Sequence, residues 1–155
     1  MNKKVLDVCC GSRMFWFDKN DDRSLFNDIR SESHILCDGR SLDIKPDTTQ
    51  DFSDMNQFKD DSFSLVVFDP PHLERIGDDA WMRKKYGRLD GDWREMIRKG
   101  FSECFRVLKN DGVLIFKWNE TQIKVSEILK LTENKPLFGH RSGKASNTHW
   151  IAFIK

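Results

Sequence analysis

Apolar residues in this chain come in short runs that stop abruptly at an acid, a glycine or a proline. The clearest run is Leu65-Val66-Val67-Phe68, which ends at Asp69-Pro70-Pro71-His72. An uninterrupted apolar run of this length reads as a strand buried on both faces, as in a parallel sheet. Neither proline has an N–H to give to a strand ladder, so the strand ends at Asp69. Other strands follow the same rule. Val5-Leu6-Asp7-Val8-Cys9-Cys10 opens into Gly11, Ser24-Leu25-Phe26-Asn27 ends at Asp28, and Thr48 to Gln50 ends at Asp51 ahead of Phe52. Val113-Leu114-Ile115-Phe116 leads to Lys117-Trp118-Asn119, and Leu137-Phe138 and His149 to Ile154 read as closing strands.

The helical period is clearest from Trp93 to Leu108, where apolar or small residues fall at 93, 96, 97, 100, 101, 104, 105 and 108. That spacing makes one continuous buried face, and Asn110-Asp111-Gly112 is expected to stop the helix. A second helix is expected over about 120–131, with Ile123, Ile128 and Leu131 inward. Ser12 to Asn20, with Met14, Phe15, Trp16 and Phe17, reads as a short helix or a bulky apolar loop. Asp38-Gly39, between Ile35-Leu36 and Leu42-Ile44, is a hairpin signal.

Composition narrows the class. The chain has 155 residues, 33% charged and 38% apolar, with a net charge of +1. This suits one globular domain over 1–155. The overall charge demands no nucleic-acid partner, so only local patches can argue for one. No apolar run approaches the ~18 residues of a membrane span, and residence in the cytoplasm is the expectation. Cys9, Cys10, Cys37 and Cys104 form no C-x-x-C pair. Adjacent side chains of a strand point to opposite faces, so Cys9-Cys10 is expected to be a pair of reduced thiols and no metal site is expected.

The chemistry converges on one edge. In open α/β sheets ligands bind at the carboxyl ends of the strands. Gly11, Asp28, Asp51 and Asp69 stand at four such ends, the pattern of a pocket for ribose hydroxyls and an amine. Asp28 follows Gly11 a little sooner than the roughly 20 residues usual between a glycine turn and a ribose-binding acid. At Asp69 the carboxylate, the Pro70 carbonyl and the His72 ring make a receptor for a planar group bearing an NH2. The first two accept its two N–H bonds, and the ring stacks on its face.

These stretches resemble a known family. The chain is similar over nearly its whole length to class I S-adenosylmethionine-dependent methyltransferases. Val5-Leu6-Asp7-Val8-Cys9-Cys10-Gly11 resembles the motif that wraps the methionine part of the cofactor. Asp28 matches the acid that holds the ribose hydroxyls, and Asp51-Phe52 the pair around adenine. Asp69-Pro70-Pro71-His72 resembles the (D/N)-P-P-(Y/F/W) motif of the amino-methylating branch, with His72 in place of Tyr, Phe or Trp, and Cys9-Cys10 stand where a second glycine is common. The resemblance implies a Rossmann-like α/β fold: an open, mostly parallel seven-stranded sheet with helices on both faces and its last strand antiparallel. It implies S-adenosyl-L-methionine as cofactor, held by Asp7, Cys9, Cys10, Gly11, Asp28, Asp51 and Phe52. It also places the transfer chemistry at Asp69, Pro70, Pro71 and His72.

Residues 73–92 interleave basic and aromatic side chains, Trp81, Lys84, Lys85 and Tyr86 among them, as surfaces that stack bases and neutralise phosphates do. The segment follows the Asp69 motif directly, so it reads as a substrate loop or lid, with a solvated loop as the alternative. Gly139 to Lys144, with Arg141, reads as a basic turn that touches an anionic substrate or as a plain hairpin loop. Three functions fit. The first is N-methylation of an exocyclic amine of a nucleic-acid base, adenine N6 leading. The second is methylation of a protein amide or a small planar nitrogen. The third is cofactor binding or breakdown without transfer.

Overall fold

A computed structural model describes residues 2–73, 77, 80, 89 and 91–155. Its elements are β1 (Val5–Asp7), β2 (Ser24–Asp28), β3 (Glu32–Ile35), β4 (Ser41–Ile44), β5 (Thr48–Thr49), β6 (Phe63–Phe68), α1 (Trp93–Val107), β7 (Leu108–Asn119), α2 (Val125–Leu129), β8 (Phe138–Arg141) and β9 (Thr148–Ile154). Seven strands form one sheet in the order β5-β2-β1-β6-β7-β9-β8, and β3 and β4 form a separate antiparallel hairpin. The pairs β5–β2, β2–β1, β1–β6 and β6–β7 are parallel, and β9 runs antiparallel to both its neighbours. Strand order reverses between β1 and β6, which makes the crevice at their carboxyl ends the expected ligand site.

Register explains the two faces. Leu6, Val66 and Leu114 lie in line, as do Phe68 and Phe116, and all five are buried. This face carries α1, whose Phe101 ring meets Phe68 at 5.5 Å and Phe116 at 4.9 Å. α1 starts at Asp92, whose side chain accepts from Glu95 N–H, and passes at Val107 directly into β7. The stop expected at Asn110-Asp111-Gly112 is instead a bulge in β7, because Phe63 pairs with Leu108 while Leu65 pairs with Val113.

α2 is shorter than expected, and Ile123, Ile128 and Leu131 are buried as its pattern required. It shares the face of α1: Trp118 Nε1 donates to the Ile123 carbonyl at 2.9 Å, and Arg94 pairs with Glu127 at 3.6 Å. Among the described residues, both helices lie on this face of the sheet. Among the described residues, turns replace a helix between β1 and β2. There Phe15 and Trp16 cover the second face, Phe15 edge-on to Trp150 at 5.6 Å and Trp16 to Phe26 at 4.9 Å. Four successive bulky residues have no helical stripe to offer, so the segment is a loop in which Phe15 and Trp16 cover the sheet while Met14 and Phe17 are exposed. Between β5 and β6, Arg106 of α1 ties the connecting loop down through Glu103, Asp60 and the carbonyls of Met55 and Phe58.

Asn27 holds the carboxyl ends of β1, β2 and β5 together. Fully buried, it donates to the carbonyls of Val8 and Gln50 at 3.0 Å each, and accepts from Thr48 Oγ1 at 2.8 Å and Gln50 N–H at 3.1 Å.

Candidate active site

The carboxyl ends of β2, β1, β6 and β7 lie side by side and carry Asp28, Asp7, Asp69 and Lys117. At a spacing of about 4.8 Å per strand, these four ends span roughly 14 Å.

Gly11 turns with φ of +51°, a left-handed conformation that suits glycine. Its N–H donates to Asp28 Oδ2 at 2.9 Å, while Arg30 N–H donates to Asp28 Oδ1 at 2.9 Å. The glycine turn and the acid closing the next strand are thus joined directly.

Asp7 is fully buried, and burial pushes its carboxyl up to about 7, with the charges of Asp69 and Asp28 pushing the same way. Trp16 Nε1 partly offsets this by donating to Oδ2 at 2.7 Å. Oδ1 is buried and has no hydrogen-bond partner among the described residues. Burial also raises the Cys9 thiol and takes Cys10 to about 12, so both are neutral thiols.

Asp69 stands one step past the Phe68–Phe116 pair, which brings it beside Lys117. Lys117 Nζ donates to Asp69 Oδ2 at 3.1 Å. Burial raises the Asp69 carboxyl, and Lys117 pulls it back. His72 is driven down to about 4 by burial and by the same lysine, so at neutral pH it is an uncharged ring. Its ring lies edge-on to Trp118 at 6.2 Å, with 77° between the planes.

No protein-family model matches the sequence, and no curated protein does. Solved structures do. The PH0226 protein from Pyrococcus horikoshii superposes with a TM-score of 0.62 at 13% identity, over 97% of this chain and 82% of that one. A TehB-like SAM-dependent methyltransferase from Corynebacterium glutamicum gives 0.61 at 17% identity, over 99% and 80%. A SAM-dependent methyltransferase from Archaeoglobus fulgidus gives 0.55 at 13% identity, over 99% and 86%. The fold is that of the S-adenosylmethionine-dependent methyltransferases.

Within this methyltransferase fold the sequence-based candidates divide. Asp7, Cys9, Cys10, Gly11, Asp28, Asp69 and the Pro70-Pro71-His72 segment share the crevice edge. Phe52 does not: its ring is buried against Phe68 at 5.2 Å and against α1 at Gly100, so it is a core residue. Asp51 spends Oδ1 on its own turn, accepting from Ser53 N–H at 2.8 Å and Ser53 Oγ at 2.7 Å. Arg141 lies on β8 and is paired with Glu120 at 2.9 Å, where His149 also approaches. The basic turn expected over Gly139–Lys144 therefore begins in a strand, and its arginine is engaged within the fold. Trp81, Lys84, Lys85 and Tyr86 lie outside the described residues.

Sequence reasoning missed three neighbours of the site: Trp16 on Asp7, and Phe15 and Trp150 flanking Lys117. The available signal was Lys117 itself, a lone cation closing an apolar strand as Asp69 closes the one before. A groove of about 470 Å³ also opens beside Gly11, between the 11–20 segment and the β3–β4 hairpin, with Arg13, Lys19, Arg40 and Lys45 in its walls. No group of His, Cys, Asp and Glu side chains among the described residues could hold a metal ion, and none of their helices is long and apolar enough to cross a membrane.

Proposed function

We propose that the chain is an S-adenosylmethionine-dependent N-methyltransferase acting on an exocyclic amine of a nucleic-acid base, adenine N6 being the leading acceptor. The observation that carries the reading is the position of Asp69-Pro70-Pro71-His72. It begins at the carboxyl end of β6, beside the strand-order reversal, in a methyltransferase fold.

The residues at the crevice fit the cofactor. A buried carboxylate oxygen without a partner, Asp7 Oδ1, is a natural acceptor for a cationic or N–H-bearing group. Asp28 Oδ1 accepts from both the N–H and the Nε of Arg30, while Oδ2, accepting from Gly11 N–H, keeps a lone pair for a ribose hydroxyl, and the bare Gly11 turn lets a ligand approach closely. When bound, S-adenosylmethionine supplies an electrophilic methyl group on a sulfonium.

The chain's own part is to orient the acceptor and favour its reactive form. An aromatic NH2 is a weak nucleophile because its lone pair is delocalised. Accepting its protons at Asp69 and at the Pro70 carbonyl favours a tetrahedral nitrogen and the positive charge that develops there. Holding the amine in line contributes up to about 7 kcal/mol or more. Neutral His72 offers a ring or a hydrogen bond to the base. A base in a duplex must first be flipped out, at about a few kcal/mol. Of the cations beside Gly11, Arg40 is paired with Asp38 and Arg13 is bonded to the carbonyls of Lys19 and Lys45, which leaves the ammonium groups of Lys19 and Lys45 to support a polyanionic acceptor.

The test is a transfer assay with radiolabelled S-adenosylmethionine against unmethylated DNA, total RNA and a protein extract, with Asp69→Ala as control. The expected result is label in nucleic acid as a methylated amino base, lost in Asp69→Ala while cofactor binding persists. Label in protein, or full turnover by Asp69→Ala, would overturn the reading.

A further inference from the structure

We propose that Lys117 is a positioning residue for Asp69, one that favours its carboxylate form and turns it so that one oxygen remains for the target amine. This rests on the reading of Asp69 as the amine receptor given above.

The lysine is placed by three elements. β7 brings it level with Asp69, and its Nζ lies 3.1 Å from Oδ2. Its Nζ also sits 5.4 Å from the ring centroids of both Phe15 and Trp150. Phe15 belongs to the turn segment after β1, and Trp150 to β9. Ring faces attract a cation, so the ammonium is held between a carboxylate and two aromatic rings rather than by its own flexible stem. Both partners are largely covered, with side-chain exposures of 20% for Lys117 and 14% for Asp69.

The surroundings make this cation necessary. Asp69 is faced by Lys117 from β7 and by Asp7 and Cys9 from the end of β1, and His72, three residues on, feels the same lysine. Asp28, beyond Asp7, adds another carboxylate. Cys9 and His72 are neutral at pH 7, and Asp7 is either neutral or negative. Among these described groups Lys117 is the only cation acting on Asp69. A buried carboxyl beside a second carboxyl takes up a proton unless a positive charge opposes it. Protonation would turn one Asp69 oxygen from acceptor to donor and spoil the receptor. With Lys117 on Oδ2, Oδ1 and the Pro70 carbonyl remain: two acceptors for the two protons of one NH2.

The experiment follows the side-chain carboxyl ¹³C signal of Asp69 through a pH titration in the cofactor-free full chain. It compares wild type, Lys117→Met, Lys117→Gln and Lys117→Arg, with Asp69→Asn to assign the signal. The expected result is a rise of about tenfold or more in the proton affinity of Asp69 in the Met and Gln variants, restored by Arg. The acid limb of the transfer rate should move to higher pH by the same factor, with S-adenosylhomocysteine binding changed less than about threefold.

A folded Met or Gln variant whose Asp69 titrates as in wild type overturns the proposal. Should neither variant fold, the Lys117 side-chain titration in Asp69→Asn decides: an unmoved midpoint means the two groups are not coupled, and a lowered one means they are. The carboxyl titration needs no acceptor, so it separates this proposal from the assignment of function. If Asp69→Ala transfers normally yet Asp69 responds to Lys117, the function falls and the coupling alone stands.

Discussion

Trp16 Nε1 donates to Asp7 Oδ2 at 2.7 Å, while Oδ1 of the same buried carboxyl has no partner among the described residues. Hydrogen bonding does not offset complete burial, which is why Asp7 is pushed from 3.8 up to about 7. In that pH window the folded chain keeps a proton that the unfolded chain releases. Stability therefore falls as pH rises from about 4 to about 7, by up to about 4 kcal/mol for this group. Asp7→Asn removes the ionisation. Urea unfolding across this range should show the variant gaining on wild type as pH increases. Parallel curves would mean that Asp7 ionises as freely in the fold as in the unfolded chain.

Asn27 makes four hydrogen bonds that join three strand ends under the site. Asn27→Ala strands buried partners and should cost about 2–4 kcal/mol. Chemical denaturation measures it, and a loss below about 1 kcal/mol would show that these groups find other partners.

Gly100 lies where α1 meets the sheet most closely. A Cβ there would fall 2.6 Å from Phe52 Cδ2 and 2.7 Å from Phe68 Cζ. Alanine would gain about 1 kcal/mol of helix propensity, but overpacking two buried rings costs about 1–3 kcal/mol. Gly100→Ala should lower the thermal midpoint. A raised midpoint would mean that the rings give way freely.

Asp28→Ala should weaken S-adenosylhomocysteine binding by about 1–3 kcal/mol through loss of charge-assisted hydrogen bonds. Calorimetric titration measures this. Binding as tight as wild type would remove Asp28 from the cofactor site.

Much of the architecture was legible along the chain. Runs such as Leu65–Phe68 are apolar because both faces of a parallel strand are covered, and Asp69, Pro70 and Pro71 mark where the ladder stops. Asp38-Gly39 turns the β3–β4 hairpin with Gly39 at φ of +82°. The stripe from Trp93 to Val107 made α1, capped by Asp92. The apolar ring of Phe52 suits an adenine site or a core equally well and is buried in the core, and over 12–20, where a short helix and a bulky apolar loop both fitted, a loop forms with Phe15 and Trp16 covering the sheet.

The sequence by itself determined where strands end and which ends carry an acid, because those features depend on neighbours along the chain. Only the tertiary structure decided that Lys117 faces Asp69, that Trp16 reaches Asp7, and that Arg141 is taken by Glu120. Each of these pairs joins residues from different strands or loops. Their meeting depends on strand register, which is set by burial of Leu6, Val66 and Leu114 in one layer across the sheet rather than by any local signal.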